Sequence, residues 1–189
     1  ALPSRRRSER ALVWLTLLFM AKFYLHELTL GQSNVLLGAL LVAALLAAQI
    51  DQPGLSGALI GAAAFVKPYA LVLLPWLGFT YGVAAAGVCL AVVAAGLILP
   101  AAVYGWTGNL DLLLAWFRTV TVSTAPNLLG NDNISLAAMW AKWIGPGRAA
   151  SLLAAGSGAA ALGLAAAVWL RRRRVDEPDY LEFALLMLL

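Results

Sequence analysis

The chain has 189 residues, of which 62% are hydrophobic and 12% charged, with a formal charge of +4. A soluble domain carries about 25% charged residues, so this composition excludes an ordinary soluble globular protein and points to membrane helices. The single cysteine, Cys89, sits in an apolar run and excludes both an intrachain disulfide and a cysteine-based metal cluster.

Arg5, Arg6, Arg7 and Arg10 precede the first apolar run, 11–30. Arg171–Arg174 follow the run 149–170. Each cluster abuts a membrane segment, so both read as cytoplasmic flanks under the positive-inside rule rather than as a nucleic-acid surface or an anionic-lipid site. No nucleic-acid partner is expected. Near the end of the first run, Lys22, His26, Thr29 and Ser33 recur at spacings of 4, 3 and 4 and share one helical face, with Glu27 adjacent. Together with Gln32 and Asn34, this stripe lines either a cavity or the water interface. Lys22 alone could snorkel, and a lone histidine more often makes a structural hydrogen bond than a metal site.

The second run, 35–50, ends in Asp51-Gln52-Pro53-Gly54. The stretch 55–79 that follows is apolar except for Lys67-Pro68-Tyr69 at its centre. A lysine at mid-membrane costs roughly 3 kcal/mol or more, and such residues face cavities and serve functions. Pro68 removes a helix hydrogen bond and favours a break there. Parity decides how this stretch runs. If 55–79 crossed once, 82–99 would end inside and Arg171–Arg174 would lie outside. If 55–66 and 69–79 form a returning hairpin, loop 100–148 is external and the arginines are internal. The two arms, about 18 Å and 17 Å long, both fall short of a ~30 Å core. The expected fold is therefore an all-α, polytopic membrane bundle with a short re-entrant helix pair, Lys67 at its tip and the tip opening to the external side. A contact with helix-end carbonyls is the competing, purely structural role for Lys67.

Loop 100–148 carries Trp106, Trp116, Trp140 and Trp143, which suit interfacial anchoring. Within it, 110–122 has the pattern of a helix lying flat in the interface. The segment 127–135, with Asn127, Asn131, Asp132, Asn133 and Ser135, is rich in hydrogen-bonding groups that also suit an ordinary turn. A further apolar run starts at 180–189. The chain begins without methionine and stops inside that run, so it reads as a single transmembrane domain, 1–189, truncated at both ends. Asp111 and Asp132 lack a ligand cluster, and neither a metal nor a cofactor is expected.

In order along the chain come Leu30-Gly31-Gln32-Ser33-Asn34, then Gly57-x-x-x-Gly61 leading to Lys67-Pro68-Tyr69, then an external loop with Asn133-Ile134-Ser135-Leu136. Over roughly 20–145 this order resembles glycosyltransferase family 87, within the C-type (GT-C) membrane glycosyltransferases. The resemblance implies a GT-C-like helical bundle around an extracytoplasmic cavity, in a multi-pass protein of a bacterial inner (plasma) membrane. It implies transfer of a hexose, mannose by analogy, from a polyprenyl-phosphate sugar to a glycolipid or glycan acceptor. Isoleucine stands at 134, where the family motif has a polar residue. The family's catalytic aspartate lies in the first external loop, which would precede Ala1, so this fragment is expected to be inactive alone.

In that chemistry Lys67 contacts the donor phosphate, with Tyr69 helping to orient it. Gln32, Asn34, His26, Glu27, Lys22, Asp132, Asn133 and Ser135 are candidates for contacts to sugar or acceptor. Two other classes stay open on the residues. A secondary transporter also uses broken helices with a charge at mid-membrane, although no second copy of the 55–79 break is visible. A noncatalytic polyprenyl-phosphate-binding membrane protein would use the same cavity.

Overall fold

A computed structural model describes residues 9–29, 31, 33–131, 133, 135–172 and 180–187. Those residues form helices and their connections, with no strand among them. The helices are α1 (Glu9–Thr29), α2 (Asn34–Gln49), α3 (Pro53–Val66), α4 (Leu73–Tyr81), α5 (Val83–Ile98), α6 (Ala101–Asn127), α7 (Leu136–Ile144), α8 (Arg148–Arg172) and α9 (Tyr180–Leu186). A 3-10 helix, Pro68–Val72, joins α3 to α4.

Local chemistry explains the boundaries. Asp51 ends α2 with φ 58°, a left-handed conformation that aspartate tolerates, and Gln52 N–H bonds back to the Ala47 carbonyl at 2.9 Å. Pro53 then opens α3, where its missing N–H costs nothing. α3 stops at Lys67, which is extended (φ −149°, ψ 122°) because a residue before proline is pushed out of the helical region. Gly82, at φ 96° and ψ 162°, makes the turn from α4 into α5.

The register of α3 against α5 fixes the path of the chain. A Cβ at Gly57 would run into the Ala85 carbonyl oxygen, one at Gly61 would meet the Cys89 carbonyl and Val92, and Gly96 faces the ring of Phe65. The contacts advance together along both helices, so α3 and α5 run parallel. The segment between them must therefore run back. Its 3-10 helix and α4 cover about 10 Å and 13 Å, against about 21 Å for α3. α3 and its return form a hairpin with Lys67 at the tip.

α2 packs along α3, and the buried residues Leu37, Leu41, Ile60, Leu73, Leu77 and Cys89 belong to one core with Trp76. Trp76 meets Tyr81 and Phe183 edge-on, at centroid distances of 5.4 Å and 5.1 Å. Near the end of α8, Trp169 Nε1 donates to Thr80 Oγ1 at 3.0 Å. The turn at 51–52, the turn at Gly82 and the end of α8, with its exposed Arg171, therefore share one end of the bundle. Lys67, the start of α2 and the α5–α6 junction share the other.

One region differs from the sequence reading. Region 100–148 is mostly helical rather than a loop with one short helix. Leu99 N–H still bonds to the Ala95 carbonyl, but Pro100 has no N–H to continue the ladder, and α6 leaves at 86° to α5 with a further kink at Gly105. The buried Asn109 donates from Nδ2 to the Leu97 carbonyl at 3.0 Å, satisfying an acceptor in the last turn of α5. Among the described residues, only α8, over Arg148–Arg171, is long and apolar enough to cross a membrane unaided; α5 with α6 passes as a bent pair.

Candidate functional site

Lys67 and Tyr69 border a cavity of about 400 Å³ between the break, α2, α4 and α9. Asn34, the first residue of α2, lines the same wall, with Leu41, Ala70 and Leu73 as its apolar sides. The break explains the placement of the cation. Extended backbone at Lys67 throws its side chain off the α3 axis, while the 3-10 turn brings Tyr69 beside it. The ammonium Nζ lies 5.9 Å from the centroid of the Tyr69 ring, within cation–π reach. Among the described residues no carboxylate or carbonyl pairs with that ammonium.

Two further hollows flank this one. A cavity of about 670 Å³ lies between α1 and α2, lined by Met20, Tyr24, Asn34, Gly38 and Val42 among others. It shares Met20, Asn34, Gly38 and Met187 with the Lys67 cavity. On the opposite side of the break, Phe65, Pro68 and Leu71 border an apolar space of about 510 Å³ with Leu113 and Trp116 of α6. α6 thus lies across the end of the bundle where the lysine opens.

The remaining candidates are distributed differently. Lys22 and His26 are exposed on α1, about 200° around the helix from Met20 and Tyr24, and line neither cavity at α2. Thr29 Oγ1 donates to the His26 carbonyl at 2.8 Å. Glu27 lies within α1, but its side chain, like Gln32 and Asp132, falls outside the described residues. Asn133 and Ser135 build the entry to α7. Asn133 Nδ2 donates to the Asn127 carbonyl (2.9 Å), Asn133 Oδ1 accepts from Ser135 N–H (3.0 Å), and Ser135 Oγ accepts from Ala138 N–H (3.2 Å) as the N-cap. Lys142 closes this loop by donating to the carbonyls of Asn133 (2.8 Å) and Asn131 (3.3 Å).

Sequence reasoning missed Lys142, Tyr24 and Gly38. The glycine one turn after Asn34 in a leucine-rich helix was the available signal for Gly38. Nothing in the spacing of Lys142 marks the loop it holds.

Fold and cavity define a class: an all-helical membrane protein with a broken hairpin and a cation over a hollow at one end. The family model of glycosyltransferase family 87 matches residues 1–189. The chain belongs to that family and is a membrane glycosyltransferase. No curated protein and no solved structure matches it.

Proposed function

We propose that the protein transfers a hexose, mannose first among the candidates, from a polyprenyl-phosphate donor to a glycolipid or glycan acceptor. The reaction takes place at the extracytoplasmic face of a bacterial plasma membrane, in a multi-pass protein. The observation that carries this reading is Lys67 at the tip of a helix break, beside a cavity of about 400 Å³, with no carboxylate partner among the described residues.

In the transfer, the bond from sugar C1 to the phosphate oxygen breaks and its electron pair leaves with the phosphate. A new bond forms from C1 to the acceptor oxygen, whose proton passes to a general base. The Lys67 ammonium stabilises the growing charge on the phosphate. In a low-dielectric cavity a fixed cation does this more strongly than in water. Tyr69 holds the ammonium from one side through its ring face, and Asn34 offers hydrogen bonds to sugar hydroxyls. The general base is the aspartate that the family resemblance expects in an external loop. The proposed topology keeps the arginine flanks inside and 100–148 outside, with α6 along the interface. It is supported by the shared end of Asp51, Gly82 and Arg171.

The test is Lys67→Ala in the complete, membrane-inserted protein. Removing one preorganised charge contact should lower transfer from the lipid donor about a hundredfold or more. Wild-type transfer by a correctly inserted variant refutes the role.

A further inference from the structure

Glycine is the poorest helix-interior residue after proline, so each one in a helix calls for a reason. In α3 the reason is contact, since a Cβ at Gly57 or Gly61 would strike the backbone of α5. Gly38, like Gly87, Gly156 and Gly163, has no such contact, and what sets it apart is its place between two cavities. A Cβ there would meet nothing within 4 Å. It lies one turn beyond Asn34 on the same face of α2, and it lines both the Lys67 cavity and the α1–α2 cavity. With Met20, Asn34 and Met187, Gly38 is one of the four residues that line both hollows. Lys67 borders only the first hollow, Val35, Ala39 and Val42 border only the second, and Asn34 borders both.

We propose that Gly38 is a passage residue, and that one ligand spans both cavities, its anionic group at Lys67 and its apolar chain running past Gly38 between α1 and α2. The ligand is an isoprenoid chain ending in a phosphate. This rests on the lipid-phosphate donor proposed above, and it adds which helices hold the chain and which residue sets the bore. Continuity with the lysine cavity selects this occupant, because a chain attached to an anion at Lys67 can leave along α2 without crossing the core. A side chain at position 38 would project into that path, and the harm would depend on the length of the donor's chain.

The experiment uses the complete protein in membranes, with sugar donors carrying either a polyprenyl or a geranyl chain. Gly38→Leu should lower kcat/KM for the polyprenyl donor about tenfold or more, mainly through KM, and change the geranyl donor about twofold or less. The reading is the ratio of the two donors within one variant, so differences in the amount of folded protein cancel, and Gly38→Val should give an intermediate ratio. An unchanged ratio in Gly38→Leu, whether both donors are lost or both kept, overturns the passage. Lys67→Gln should impair both donors alike. If it impairs neither, the phosphate assignment falls, while the passage is still decided by the Gly38 ratio.

Discussion

Gly61→Ala isolates the contact that makes the chain turn back at Lys67. The added Cβ would lie 2.8 Å from the Cys89 carbonyl oxygen and 2.9 Å from Val92 Cβ. Comfortable contact begins near ~3.5 Å, so α3 and α5 must part by about 0.6 Å, a gap that forfeits about a quarter or more of the dispersion energy along the seam. Overpacking of this kind costs about 1–3 kcal/mol, against about 1 kcal/mol gained by replacing glycine with alanine in a helix. The expected net loss is up to about 2 kcal/mol, and the deficit relative to an alanine that meets no contact is about 1–3 kcal/mol. Gly87 provides the control. It lies on α5, is exposed, and a Cβ there meets nothing within 4 Å. Gly87→Ala should therefore gain up to about 1 kcal/mol. Unfolding of the purified full chain in mixed micelles, titrated with a denaturing detergent, ranks the two variants. If Gly61→Ala is as stable as Gly87→Ala, the close parallel packing of α3 on α5 is wrong, and the hairpin loses its foundation.

Two other substitutions test local devices. Gly82→Ala places a side chain at φ 96° and ψ 162°, a region open essentially to glycine alone, and should cost about 1–3 kcal/mol in the same unfolding assay. Ser135→Ala removes the acceptor for Ala138 N–H and should cost about 1 kcal/mol, read as faster hydrogen exchange in the first turn of α7 with no change at α3.

Much of this architecture was legible along the chain. The run 35–50 became α2, 55–66 became most of α3, and 82–99 became α5, because uninterrupted alanine and leucine leave the backbone no competing partner. The break at Lys67 was legible for a stronger reason, since Pro68 constrains both its own backbone and that of the residue before it. Gly57-x-x-x-Gly61 entered only as a motif of the family resemblance; that the two glycines meet α5 is a tertiary fact that spacing does not carry. The same limit explains the polar stripe of α1. Lys22 and His26 do share a face, but the face turned toward α2 belongs to Met20 and Tyr24. Asn133 and Ser135 were visible as hydrogen-bonding residues of a segment that suits either a site or an ordinary turn. Their use as turn and cap depends on the geometry of α7, which short-range composition leaves undecided. The length of α6 was hidden because its tryptophans and threonines look like an interfacial loop, whereas only Gly105 and Pro126 interrupt its helix.

The return of the chain at Lys67 is tested most directly by the side from which single cysteines react. In a Cys89→Ala background, cysteines at Asp51, Val83 and Asn131 of the membrane-inserted protein are exposed to an impermeant maleimide. The hairpin predicts labelling of Asp51→Cys and Val83→Cys from the cytoplasmic side only, and of Asn131→Cys from the opposite side only. Reaction of Val83→Cys from the side opposite to Asp51→Cys would mean that 55–79 crosses the membrane once, and it would remove Lys67 from the tip of a re-entrant pair.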